Sequence, residues 1–233
     1  MGPSQPDPAL TRSVEDYLKA IYRLTDQGEA ASTRAIAGAL GLSAPSVSAM
    51  VRRLADQGLL DHAPYRGVQL TDEGRRAALQ VVRRHRLIES YLVERLGYTW
   101  DTVHAEAERL EHAASDELVQ RMEAALGHPV VDPHGEPIPG VDGSIAVERT
   151  DLVPLVEMAA GSTVIIQQVT TSEPERLRYL AAFGLVPGSA VTVVERQPFN
   201  GPIALRTPQG RHTIGYELAE SLLCSLDVGS RLD

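Results

Sequence analysis

Two groups of side chains in this sequence have the types and spacing of metal ligands. His85 and Glu89 are four residues apart, and His104, Glu108, Glu111 and His112 follow at i, i+4, i+7 and i+8. On a helix these spacings put side chains on one face, the second group within an arc of about 100°. A single His/Glu pair is usually a solvated surface pair. Six such residues in two consecutive groups are harder to explain that way, because clustered carboxylates repel one another unless a cation compensates. Imidazole and carboxylate together suit first-row divalent metals.

Catalysis fits these residues less well. Glu108-x-x-Glu111-His112 is close to the inverted zinc-protease pattern but lacks the histidine at its first position. Helices bearing Glu and His also build di-iron centres, yet those draw inward ligands from four helices, more than are found here. The sequence has no Gly-rich phosphate loop, no G-x-S-x-G and no Cys/His pair. Its one cysteine, Cys224, is far along the chain from the ligand groups, and alone it excludes an internal disulfide and a cysteine-based zinc knuckle. No enzyme activity and no small-molecule substrate are expected. A regulator that senses an organic ligand, with the His/Glu groups merely structural, is the remaining rival; metal-dependent DNA binding separates the readings.

The elements that would position these residues can be read from periodicity and caps. Val14, Leu18, Ile21 and Leu24 predict a helix from Thr11 to about Leu24, and a second covers Thr33 to Leu40. Gly41 turns the chain. Ser43 as N-cap and Pro45 in the first turn open a third helix, which Gly58 closes after about Gln57. Strands at 59–62 and 68–70 flank a turn at Pro64–Gly67. Thr71 caps a long helix ending before Gly97, and Asp101 caps another expected to run unbroken to Gly127. The proline-bearing stretch 128–143 reads as a semi-rigid connection. Beyond Leu152, β-branched runs at 163–168, 190–195 and 203–206, with short helices at 175–182 and 216–221, predict a small β-barrel.

Helix, tight turn, helix and hairpin in that order make a winged helix-turn-helix. On the third helix Val47, Met50, Val51 and Leu54 form an apolar stripe, whereas Pro45, Ser46, Ala49, Arg52 and Arg53 face the other way. Small residues allow the helix to approach base edges in a groove, and the arginines that follow can reach phosphates. Arg66, at the wing tip, is placed to reach an adjacent phosphate or the minor groove. The net charge of −9 conceals a division: Arg34 to Arg86 holds nine arginines against four acids, whereas Asp101 to Glu157 holds thirteen acids against three arginines. That division suits a phosphate partner at one end and cations at the other. The opening residues, MGPSQPDPAL, lack the basic start and apolar run of a signal peptide. No apolar stretch approaches the roughly 20 residues that span a bilayer. A cytoplasmic protein with no membrane partner is expected.

Several segments resemble the diphtheria toxin repressor family of iron- and manganese-dependent transcriptional regulators: VEDYLKAIYRL, LGLSAPSVSAMVRRLADQGLL, LTDEGRR, RRHRLIESYL, HAEAERLEHAASDEL and GEPIPG. LRYLAAFGLVPGSAVTVVE is similar to the SH3-like domain that this family shares with bacterial ferrous-iron-transport accessory proteins. The resemblance implies a mainly α protein with a small β domain: a winged helix-turn-helix over 1–75, a helical dimerisation and metal-binding domain over 76–143, and an SH3-like β-barrel over 152–233. It implies a homodimeric repressor on a palindromic double-stranded operator, with two metal sites per subunit. The primary site would take Asp16, Glu108, Glu111 and His112; the ancillary site would take His85, Glu89, His104 and Glu173. An amide ligand of the family is replaced by Arg176, which leaves Glu175 as a substitute or the position without a ligand. Ser43, Pro45 and Ser46 fall on the family's base-contacting positions. The iron-sensing branch has Met and Cys where this chain has Asp16 and Glu108, a change from soft sulfur to hard oxygen that favours Mn²⁺, with Fe²⁺ as the alternative. The manganese branch has a second acidic residue where this chain has Lys19, its only lysine.

Overall fold

The computed structural model describes residues 10–25, 28–63, 67–146 and 151–226. Helical periodicity at the N-terminal end becomes α1 (Arg12–Thr25), α2 (Thr33–Leu40) and α3 (Ala44–Asp56). Local signals fix their ends. The Ser32 side chain accepts from Ala35 N, and that of Ser43 from Ser46 N, so each cap satisfies a donor that the helix leaves open. Gly41 closes α2 in the left-handed conformation, φ 65°, which a side chain would resist. Strands β1 (Leu60–Ala63) and β2 (Gly67–Leu70) pair antiparallel, Leu60 opposite Leu70, and Ala31 adds a two-bond bridge to Val68. The turn between them, with Arg66, lies outside the described residues.

The chain then enters α4 (Asp72–Leu96). Two compact units divide it inside this helix. The first takes the chain up to His85 together with Glu111–Ala114 and Pro139–Ser144. Its core is Val14, Leu18 and Ile21 of α1, Ile36 of α2, and Val47, Val51 and Leu54 of α3, with Val68 of the hairpin and Ala78 and Val81 of α4. The second unit holds Arg86–Leu110, Ser115–Ile138 and everything from Ile145 onward.

The unbroken helix expected from Asp101 to Gly127 is two helices, α5 (Val103–Leu110) and α6 (Asp116–Leu126). Ser115 starts α6 afresh, its side chain accepting from Leu118 N at 3.3 Å. Glu111–Ala114 between them leaves the second unit for the first. Glu111 and His112 are therefore not the third and fourth members of one helical stripe.

The strand-rich segment forms β3 (Val153–Pro154), β4 (Thr163–Val169), β5 (Ala190–Arg196), β6 (Ile203–Thr207), β7 (Gly210–Ile214) and β8 (Leu222–Leu226). They make one antiparallel sheet in the order β3-β8-β4-β5-β6-β7. This is the small β domain that the sequence predicts, but among the described residues its sheet stays open, with β3 and β7 as edges. Helices α7 (Pro174–Ala182) and α8 (Tyr216–Glu220) pack on it through Leu177, Leu180 and Ala219, against Val164, Ile166, Val193 and Leu205. The stretch 130–138, which reads as a linker in sequence, is anchored: Val169 N donates to His134 O at 2.8 Å and Asp132 N to Glu136 O at 2.9 Å. Among the described residues no single helix is long and apolar enough to cross a membrane.

At Gly74, in the first turn of α4, an added Cβ would lie 1.9 Å from the carbonyl oxygen of Leu59. Helix propensity alone favours alanine there by about 1 kcal/mol, but main chain on both sides leaves the clash no room to relax. Gly74→Ala is expected to destabilise the protein by about 1–3 kcal/mol, the overpacking range, measured by urea unfolding. A variant as stable as the parent would contradict this packing.

Candidate functional site

Helix α1 turns its apolar stripe into the core, and that rotation fixes where its charged residues go. Glu15 and Lys19, one turn apart, are 8% and 5% exposed, and Asp16 beside them is half-buried. The turn after α5 brings Glu111 and His112 to these residues within the first unit, and α4 brings Arg84 and His85.

The resulting arrangement is dense in charge. Lys19 Nζ donates to Glu111 Oε1 at 2.5 Å. His85 Nδ1 is bonded to Glu111 Oε2. His112 Nδ1 is 2.6 Å from Glu15 Oε2, and Arg84 pairs with the other Glu15 oxygen. A carboxylate only accepts, so His112 Nδ1 carries the proton of this bond. The ring's other nitrogen, Nε2, is sealed from solvent and makes no hydrogen bond, although it lies 2.9 Å from Asp16 Oδ1 and 3.3 Å from Glu111 Oε1.

These residues fit a divalent cation. Asp16, Glu111 and His112 each offer one donor atom, all within 4.8 Å of one another. A buried ring nitrogen without a hydrogen bond, facing two carboxylate oxygens, forms with them a donor set that a divalent cation would fit. Glu15, held by Arg84, orients the ring from behind, as carboxylates do for ligating histidines. Glu111 has no exposed surface. Burial raises its pKa, but the opposing hydrogen bonds and charges of His85 and Lys19 outweigh that and hold it below the ordinary carboxylate value. The carboxylate is thus in its ligating form.

The expected ligand residues divide between the units. Asp16, Glu111, His112 and His85 belong to the first; Glu108, Glu89, His104 and Glu173 belong to the second. Within the second, His104 Nδ1 is 2.9 Å from Glu89 Oε1, and His104 Nε2 is 3.6 Å from Glu108 Oε1. Glu173 is exposed and its carboxylate is taken up by Arg176, at 2.9 Å, which also holds Glu217. Glu175 is exposed.

Sequence reasoning missed Glu15 and Lys19 as partners, and it missed a second buried group: Glu89 with Asp132 and His134. His134 Nδ1 is 3.6 Å from Glu89 Oε2, and its Nε2 is 2.9 Å from the Trp100 carbonyl. Burial, then the charges of Glu136 and Glu89, push the Asp132 carboxyl up to about 7. Burial lowers the His134 pKa, but its hydrogen bond to Glu89 and the nearby carboxylates raise it overall. Arg86 sits 3.7 Å from Asp132 and bonds Glu136 and the Pro137 carbonyl, so an internal cation already serves this group. The signal available in sequence was the D-P-H triplet at 132–134, unreadable without a partner.

Helix α3 has the buried and exposed sides that its pattern predicts. Val47, Val51 and Leu54 are buried, whereas Ser43, Pro45, Ser46, Arg52 and Arg53 are exposed on α3. Ser43 and Ser46 hydroxyls are 2.8 Å apart at the helix start.

Comparison with known proteins bears on both faces. Three family profiles match: the iron dependent repressor N-terminal DNA binding domain over residues 9–68, the iron dependent repressor metal binding and dimerisation domain over 71–140, and the FeoA domain over 153–226. The chain is 35% identical over 223 residues to the iron-dependent repressor IdeR of Mycobacterium bovis, covering 91% of this chain and 96% of that protein. It is 34% identical to the diphtheria toxin repressor of Corynebacterium diphtheriae, covering 80% and 86%. A solved manganese-dependent transcriptional repressor in complex with manganese superposes with a TM-score of 0.83 at 41% identity, covering 91% of this chain and 99% of that one.

If Glu15 orients the His112 ring, Glu15→Gln removes the anionic acceptor while conserving shape. Affinity for Mn²⁺ is expected to fall about 10–100-fold, the range for losing a partner behind a ligating histidine. Calorimetric titration of the full chain reads this directly; unchanged affinity would remove Glu15 from that role.

Proposed function

The chain belongs to the iron-dependent repressor family of metal-dependent DNA-binding repressors, and we propose that this member responds to Mn²⁺ and controls metal-ion homeostasis. The observation that carries the proposal is the group Asp16, Glu111 and His112 of the first unit, in which His112 Nε2, buried and making no hydrogen bond, faces Asp16 Oδ1 and Glu111 Oε1. It contains two carboxylates, one imidazole and no sulfur. Thiolate and thioether ligands add a preference for softer metals; an oxygen-rich set lacks it and accepts Mn²⁺. The 41% identity to a manganese-dependent repressor supports the same choice.

Bound there, the metal supplies a positive charge shared between α1 and the turn that follows α5. The protein's own residues do the rest. Asp16 belongs to α1, which packs on α2, and α2 with α3 forms the helix-turn-helix. Asp16 therefore ties the metal cluster to the DNA-reading element through one rigid helix. Ser43, Pro45 and Ser46 are proposed to meet base edges, and Arg52, Arg53 and Arg66 to meet phosphates. The proposed assembly is a cytoplasmic homodimer on a palindromic operator, two-fold symmetry in the protein matching that in the DNA. A second ion per subunit is proposed on His104 with Glu89 and Glu108. Asp16 of α1 and Glu111 and His112 of the turn after α5, held together on a bound ion, would favour the DNA-fitting dimer.

Fe²⁺ as co-repressor is the second reading, favoured by the identity to IdeR. Fe²⁺ binds such groups somewhat more tightly than Mn²⁺ in the Irving–Williams order. Operator binding is therefore measured without oxygen, with each metal in turn. Mn²⁺ is expected to activate the wild type, and His112→Ala to abolish activation with the helical content retained. A wild type that ignores Mn²⁺ and answers Fe²⁺ overturns the choice of metal. A His112→Ala variant that still responds overturns the site.

A further inference from the structure

Glu111 Oε1 lies 3.3 Å from His112 Nε2 in the proposed metal cluster, and it is also the atom that accepts from Lys19 Nζ at 2.5 Å. We propose that Lys19 is a built-in counter-cation that neutralises Glu111 in the metal-free protein and competes with the incoming ion, so that this lysine sets the metal concentration at which the repressor responds. The proposal rests on the cluster assigned above.

The geometry leaves little freedom. Glu111 is fully buried, Lys19 is 5% exposed, and the two are 92 residues apart in sequence, so the pair forms only in the folded first unit. An ionised carboxylate without a compensating charge is not tolerated in such a place. His85 takes the second oxygen, Oε2, which leaves Oε1 as the oxygen that faces both His112 and Lys19. A divalent ion bonded to that oxygen would stand within a few ångströms of the ammonium, where like charges repel strongly because water is excluded. The ion must displace the ammonium or bear the repulsion, and either weakens binding. A neutral residue at this position would give a tighter but less stable sensor: the ion would meet an uncontested Oε1, while the metal-free fold would leave the buried Glu111 carboxylate to His85 alone.

The same pair thus has two measurable consequences of opposite sign. Lys19→Gln keeps the length and a hydrogen-bond donor but removes the charge. The full chain is titrated with Mn²⁺ in a calorimeter without oxygen, and the metal-free forms are melted in parallel. Lys19→Gln is expected to bind Mn²⁺ at least tenfold more tightly, to begin operator binding at correspondingly lower Mn²⁺, and to melt several degrees lower when metal-free. Lys19→Arg, which retains the charge, is expected to keep the wild-type affinity. Should Lys19→Gln prove too unstable to titrate, the metal-free double variant Lys19→Met/Glu111→Gln, with neither charge, is expected to recover most of the lost melting temperature. Equal or weaker Mn²⁺ affinity in Lys19→Gln, or no recovery in the double variant, overturns the proposal. His112→Ala serves as the control on the site itself: Mn²⁺ binding that survives it unchanged shows that the cluster was misassigned, whatever Lys19 does.

Discussion

A carboxylate shut away from water needs positive charge beside it, and Glu111 has no exposed surface at all. Everything around it answers that need. Lys19 and His85 occupy its two oxygens, and His112 brings a ring nitrogen to 3.3 Å of the first. Once His112 is placed, Glu15 and Arg84 follow, since the ring's proton needs an anionic acceptor and that acceptor needs its own cation. Asp16 then faces His112 Nε2, 2.9 Å away. The chain holds its charges in a partly compensated state that one divalent ion would complete.

The same need explains the break between α5 and α6. Residues 111–115 are Glu-His-Ala-Ala-Ser, and nothing before Ser115 disfavours a helix. The chain gives up helical hydrogen bonds there because Glu111 and His112 make stronger charged contacts outside the helix. Helix α1 meets that turn on one side and α2 of the helix-turn-helix on the other, so the proposed metal cluster and the proposed DNA-reading element share one helix. A metal-dependent repressor needs that coupling, because a ligand shifts an equilibrium only through contacts that differ between two states.

Much of this was legible in the sequence. The winged helix follows from local signals: the 3.6-residue stripe of Val47, Val51 and Leu54, the Ser43 cap, and the left-handed turn at Gly41. The candidate ligand types are legible too, because His and Glu at helical spacing are conspicuous. What spacing could not give was pairing. Lys19 and Glu111 meet across 92 residues, as do Glu15 and His112 across 97, and no periodicity predicts such contacts. The expectation that Glu108, Glu111 and His112 share a helical face assumed an unbroken helix and failed at residue 111 for the electrostatic reason above. Asp132 and His134 were hidden among prolines that read as a linker. The strands β7 and β8 carry polar residues, Arg211 and His212 in one and Ser225 in the other, which blurred their alternation.

The central claim, that Asp16, Glu111 and His112 together hold the activating ion, is tested most directly by anomalous diffraction from crystals of the full chain grown with Mn²⁺. A manganese peak is expected within bonding distance of Asp16 Oδ1, Glu111 Oε1 and His112 Nε2, with the Lys19 ammonium moved from its 2.5 Å contact with Glu111 Oε1 or the Glu111 carboxylate turned to share it. A crystal of Mn²⁺-activated protein with manganese elsewhere, and with His112 Nε2 still making no bond, would contradict it.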